Sequence, residues 1–199
     1  ALELNVFSLP SDFNRTAQEN EQVYFDIINK VTSVTKLPVA LKIGYYNASL
    51  GNFIKRLSET PVKGIVLFNR FYNPDFDVNN LQFAPSSVFS TPAEISTSLR
   101  WIAIMSGRVQ CDLSASTGVH DGFGMVKQLL AGANSVQVCS AIYRNGKEHV
   151  TYMIKQLEQW MDTNGYTTID EFRGKMSQSK TYNPAAFERV QFMKYFHDL

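Results

Sequence analysis

The sequence predicts an α/β protein: the later portion of a (β/α)8 TIM barrel, about five βα units long. Three observations predict it. Short apolar runs alternate with stretches of helical period along the chain. Two small-residue loops, Ser114-Ala115-Ser116-Thr117-Gly118-Val119-His120-Asp121-Gly122 and Val136-Gln137-Val138-Cys139-Ser140-Ala141-Ile142, each lead from an apolar run into a helical stretch. Asn5, Lys42 and Asn69 stand at the C-terminal ends of otherwise apolar runs, the position that points into the mouth of a parallel barrel.

The elements follow in order. Leu2 to Val6 reads as a strand and Asp12 to Thr16 as a polar loop. Glu19 to Thr35 is a helix with Val23, Ile27, Ile28 and Val31 on one face. Pro38 to Ile43 is a buried strand, Leu50 to Leu57 a helix with Phe53, Ile54 and Leu57 inward, and Gly64 to Phe68 a third strand. Arg70 to Thr91, rich in Asn, Pro, Ser and Phe, has no helical period. It reads as a long excursion of the kind that often covers active sites, with a hairpin of Leu81–Phe83 against Ser87–Phe89. Alternation resumes with a helix from Ala93 to Met105, a strand from Val109 to Leu113 and a helix from Gly124 to Ala131. A strand from Ser135 to Cys139 and a helix from about Lys147 to Thr163 follow. Thr168 and Glu171 have capping-box spacing and open a short terminal helix; Pro184 opens another.

With 199 residues, 44% of them hydrophobic, the chain can build one core, read here as a single domain over 1–199. A net charge of +1 gives no reason to expect nucleic acid or a membrane surface as partner. No apolar run is long enough to cross a bilayer. Cys111 and Cys139 sit in apolar strand-like runs, which favours buried free thiols and a cytoplasmic setting. A closed barrel needs eight strands and about 250 residues, and parallel strands are normally paired and covered. The upstream strands of the same barrel are therefore expected on a separate chain or segment, paired with Leu2–Val6.

Chemistry is expected at the strand ends and the two loops. Backbone N–H groups at helix N-termini hold phosphate, and the loops after the last two strands are the usual phosphate site of such barrels. This singles out Ser116, Thr117, Gly118, Cys139 and Ser140. Ser116, Thr117 and Ser140 equally suit helix N-caps, and His120 and Asp121 a loop and a cap. Lys42, between Leu41 and Ile43, needs an anion or polar partner; a barrel carboxylate serves as well as a cofactor. Asn5 and Asn69 each donate and accept hydrogen bonds, or cap strand ends. Tyr45, Tyr46, Phe71 and Tyr72 either wall a ring pocket or cover the core.

Four segments in order resemble the dihydroorotate dehydrogenase family of flavin mononucleotide barrels. Leu2-Glu3-Leu4-Asn5-Val6-Phe7-Ser8 is similar to its strand 4 signature, and Val39-Ala40-Leu41-Lys42-Ile43 to the strand whose lysine faces the flavin. Gly64-Ile65-Val66-Leu67-Phe68-Asn69 is similar to the strand ending in a substrate-binding asparagine, and Gln128 to Val138 to the approach to strand 8. Phe172-Arg173-Gly174-Lys175 resembles the family's C-terminal end. The resemblance implies FMN, bound by Asn5, Lys42, Ser116, Thr117, Gly118, Cys139 and Ser140. It implies a small-molecule substrate held by Asn5 and Asn69, and a role in pyrimidine biosynthesis. Ser8, three past Asn5, falls at the catalytic base position. A second copy of the chain is a candidate partner. The sequence departs from the family at Leu9-Pro10-Ser11, where Pro-Asn is usual, at Arg70, and in the Ser and Cys of the phosphate loops. Two other functions stay open: a diverged, non-catalytic barrel that binds or supports, and a Schiff-base aldolase using Lys42.

Overall fold

Alternation along Val39-Ala40-Leu41-Lys42-Ile43 decides the architecture. Val39, Leu41 and Ile43 are buried on one side of their strand, and Ala40 and Lys42 face the other. The computed structural model describes residues 1–84 and 86–189. Its strands are β1 (Leu2–Asn5), β2 (Val39–Ile43), β3 (Gly64–Leu67), β4 (Asp75–Asp77), β5 (Gln82–Ala84), β6 (Asp112–Ala115) and β7 (Ser135–Val136). Five form one parallel sheet in the order β1-β2-β3-β6-β7. Leu4, Leu41, Ile65 and Leu113 stand side by side across it and point outward into the main core. That core is completed by α1 (Ala17–Val34), α2 (Leu50–Ser58) and α3 (Ile95–Met105). The remaining helices are α4 (Gly122–Ala131), α5 (Ser140–Asn145) and α6 (His149–Thr163). Val126, Leu129, Leu157 and Phe172 form a second cluster between α4, α6 and the chain that follows.

The inner face is polar. Glu3, Asn5, Lys42, Ser114, Ser135 and Gln137 lie along it. Although β1 and β7 are opposite edges of the sheet, the Gln137 amide donates to the Glu3 carboxylate. The sheet is therefore rolled until side chains from its two edges meet across the concave side. Among the described residues β1 and β7 each keep one free edge.

Five parallel strands with intervening helices match the expectation; several boundaries do not. α1 begins two residues before Glu19 because Thr16 forms a capping box with Glu19, each side chain bonding the other's backbone N–H at 3.2 and 2.7 Å. The hairpin pairs β5 with the preceding β4, not with Ser87–Phe89. The Asp77 carboxylate accepts from the N–H groups of Asn79 and Asn80 and turns the chain there. The strand expected from Val109 is β6, starting three residues later, where the Asp112 N–H meets Lys63 O. Cys111 is half-buried, and burial, then the charge of Asp112, pushes its thiol up to about 11. Cys139 is exposed, contrary to expectation, because β7 stops at Val136 and α5 starts at Ser140. The turns at Thr168 and Pro184 are short 3-10 helices.

The excursion after β3 is fastened at its base. Arg70 Nε lies 2.8 Å from Glu94, and Nη1 donates to the carbonyls of Ser87 and Val88 at 2.9 and 3.0 Å. The hairpin beyond is exposed, with Phe76 and Phe83 facing each other across it.

Candidate cofactor site

Inward-facing strand positions converge on one cavity of about 590 Å3, within the usual size of a small-molecule site. Asn5 reaches it from β1, Lys42 from β2, Asn69 from the end of β3, Ser116 and Thr117 from the end of β6, and Gln137 from the end of β7. Lys42 Nζ donates to Gln137 Oε1 at 2.9 Å and lies 3.9 Å from a Glu3 carboxylate oxygen. These partners offset the cost of keeping a lysine only 19% exposed. Asn69 is buried and stitches strand ends together. Its N–H donates to Ile43 O at 2.7 Å and its side-chain amide to Val6 O at 3.0 Å. Among the described residues its Oδ1 accepts no hydrogen bond.

The other end of the cavity is lined by backbone. Thr117 and Gly118 both have left-handed backbone, φ 80° and 81°. For a β-branched residue that conformation costs about 1–3 kcal/mol. Among the described residues the N–H groups of Thr117, Gly118, Cys139 and Ser140 have no acceptor. The start of α4 is different. Asp121 caps it by accepting from Gly124 N–H at 2.7 Å, and Gln156 accepts from Gly122 N–H at 2.8 Å. The Gly122 and Gly124 donors are thus taken within the chain, and the helix that begins at the cavity is α5. The loops after the last two strands together with the start of a short extra helix are the usual phosphate grip of a barrel.

A strap closes that end. Ser90 N–H donates to Ser140 Oγ at 3.0 Å, and Ser90 Oγ is 3.1 Å from His120 Nε2. The His149 ring nitrogen Nε2 donates to His120 O at 2.8 Å. Burial, and after it the charge of Arg144, holds His120 below the usual histidine value, so its ring is neutral at neutral pH.

No family model matches the chain. It is 24% identical over 87% of its length to the catalytic subunit of dihydroorotate dehydrogenase B (NAD(+)) of Thermoplasma volcanium, covering 58% of that protein. Shorter matches are 36% identity to chloroplastic dihydropyrimidine dehydrogenase (NADP(+)) of Arabidopsis thaliana and 39% to dihydroorotate dehydrogenase (fumarate) of Trypanosoma brucei brucei. They span 33% and 30% of this chain, and 16% and 19% of those proteins. The structure of dihydroorotate dehydrogenase from Eimeria tenella, solved with ferulenol, superposes with a TM-score of 0.63 over 86% of this chain and 52% of that one, at 16% identity. The chain is dihydroorotate dehydrogenase-like. It spans little more than half the length of the Thermoplasma and Eimeria proteins, and its five-stranded parallel sheet with helices forms part of a TIM barrel. Among the described residues no helix is long and apolar enough to cross a membrane.

In this dihydroorotate dehydrogenase-like chain, Asn5, Lys42, Asn69, Ser116, Thr117, Gly118, Cys139 and Ser140 all border the one cavity. Ser8 does not. Side chains alternate after β1, so Phe7 takes the cavity side, 4.5 Å from the Phe71 ring. Ser8 falls on the opposite side, in a separate depression beside Glu21 and Tyr46. Spacing from Asn5 therefore does not deliver a hydroxyl base to the cavity. Tyr45, Tyr46 and Phe71 cluster beside the cavity, while Tyr72 is exposed. Sequence reasoning passed over Gln137 and Ser90. Gln137 carries the same signal as Lys42, a polar residue between Val136 and Val138; Ser90, in a stretch without period, carries none.

Proposed function

We propose that the chain forms the flavin-holding part of an oxidoreductase that oxidises dihydroorotate or a related small molecule. One observation carries the reading: a single cavity has, at one end, backbone donors without an acceptor among the described residues, and a partnered lysine at the other. That donor set fits FMN. Gly118, Cys139 and Ser140 would hold the phosphate, with Ser116 and Thr117 beside it. Lys42 and Asn5 would meet the ring, where a cation favours negative charge on the reduced form. Asn69 Oδ1 would accept from the substrate. When bound, the flavin supplies the hydride acceptor. The strap from Ser87 to Ser90 would shield the site from water.

Supporting strands from another chain or segment would complete the barrel along the free edges of β1 and β7, and two free cysteines suit a reducing cytoplasm. The placement of Ser8 behind Phe7 favours a second reading, a barrel that binds flavin without oxidising dihydroorotate. The aldolase reading is weaker, because Lys42 Nζ is engaged as a hydrogen-bond donor to Gln137, with the Glu3 carboxylate 3.9 Å away. The test is the visible spectrum of the purified protein with every chain of its assembly, before and after adding FMN. A bound-flavin spectrum is expected; protein that stays colourless overturns the proposal. Anaerobic bleaching by dihydroorotate then separates the two flavin readings.

A further inference from the structure

We propose that Gln137 is a positioning residue that presents the Lys42 ammonium to the cavity by standing between it and Glu3. The inference rests on the flavin reading for its purpose, and on geometry alone for its mechanics. Glu3 and Lys42 lie on the neighbouring strands β1 and β2 at one side of the sheet, and Gln137 comes directly after β7 at the opposite edge. Gln137 Oε1 accepts from Lys42 Nζ at 2.9 Å while its Nε2 donates to the Glu3 carboxylate. Glu3 and Lys42 remain 3.9 Å apart, beyond the roughly 2.7–2.9 Å of a charge-assisted hydrogen bond.

An amide suits this place because it accepts on one side and donates on the other without adding charge. It satisfies both ions and keeps them from closing on each other. A direct Glu3–Lys42 pair would neutralise the lysine and draw it from the cavity toward the strand start, where Glu3 lies. With Gln137 between them, the ammonium keeps donors for an anionic or electron-rich edge of a planar ligand. A glutamate at 137 would crowd a second carboxylate against Glu3, and an apolar residue would leave both ions without their shared partner. Gln137 borders both the cavity and the depression beneath it, where Glu3 sits.

The test reads Lys42 directly. The flavin-free full chain is treated with an amine-reactive acylating reagent at one fixed alkaline pH, and modification of each lysine is followed by mass spectrometry. In Gln137→Leu, direct pairing with Glu3 should slow labelling of Lys42 about tenfold, the worth of one charge-assisted hydrogen bond, with exposed Lys147 as internal control. The double variant Gln137→Leu/Glu3→Gln should restore it, which a merely structural defect would not do. FMN affinity should fall and recover in parallel. Unchanged Lys42 labelling in Gln137→Leu overturns the inference. If Gln137→Leu does not fold, Glu3→Gln alone decides. Labelling should stay within about twofold, and a large rise would show that Glu3 rather than Gln137 holds the lysine. Failure of the unmutated protein to bind FMN sinks the flavin reading and leaves the labelling result standing.

Discussion

The two loops that close the cavity look alike in sequence and differ in how they are held. The first, after β6, is fixed by its own chain. Ser116 N–H donates to Leu67 O at 2.8 Å, Gly118 lies against the start of α3, and Asp121 caps α4. The second, after β7, makes one ladder bond, Gln137 N–H to Ala115 O at 2.8 Å, and then runs open through exposed Cys139. Its further ties are made by side chains, Gln137 to Lys42 and Glu3 and Ser140 to the strap. Among the described residues, small residues leave backbone N–H groups free in both loops, and in the first they answer to packing as well. The first loop is a packed wall that also offers donors to the cavity, and the second is a loosely held grip.

The sharpest way to break that contrast is at Gly118. A Cβ there would lie 2.2 Å from Ile95 N, on backbone with φ +81°. Gly118→Val should therefore lose about 2–5 kcal/mol from strain and overpacking, read in urea unfolding, whatever ligand is present. Cys139→Ala in the second loop should stay within about 0.5 kcal/mol. Equal losses in the two would erase the distinction. Asp121→Ala comes next, with an expected cost of about 1 kcal/mol for the lost cap. Because Gly118 of the same loop is proposed to hold the phosphate, the FMN affinity of the folded fraction should fall as well, and an unchanged affinity would show that the first loop is scaffold alone.

The smallest effect is the pH response of the strap. His120 is held below the ordinary value of 6.5, first by burial and then by Arg144. Its unfolded form binds a proton more readily than its folded form. The stability it contributes is thus full above about 6.5 and is lost as the pH falls through the lowered folded value. His120→Gln should flatten that part of the profile of urea midpoint against pH. Superimposable profiles would mean that the latch of Ser90 and His120 carries no pH sensitivity.

Much of this was legible in the sequence where side chains alternate. The run Pro38–Ile43 announced a strand and its inward lysine together, and Leu2–Val6 and Gly64–Phe68 announced the two asparagines' strands, each within a residue of its observed bounds. What failed lay in local details that following apolar runs does not show. Ser8 has the right distance from Asn5 in sequence, but the alternation that brings Phe7 to the cavity turns Ser8 away. α5 was missed because Cys139 offers no side-chain cap and the helix has only six residues, too few to show a period. The hairpin was paired with the wrong neighbour because its turn is written in Asp77, Asn79 and Asn80, residues that read as plain loop when only apolar runs are followed. Gln137 was legible and passed over, since its contacts with Lys42 and Glu3 appear only when the sheet curls.

The Arg70 clasp separates what lies above it from what lies below. Because one guanidinium binds Glu94 and the carbonyls of Ser87 and Val88, the two ends of the excursion are joined whatever lies between them. Lengthening a loop whose ends are already together costs little, about 0.6 kcal/mol per doubling. The β4–β5 hairpin can therefore be lengthened, trimmed or replaced by another module without moving the lysine floor. In this architecture the hairpin is a swappable appendage, and a single arginine is the junction that makes it so.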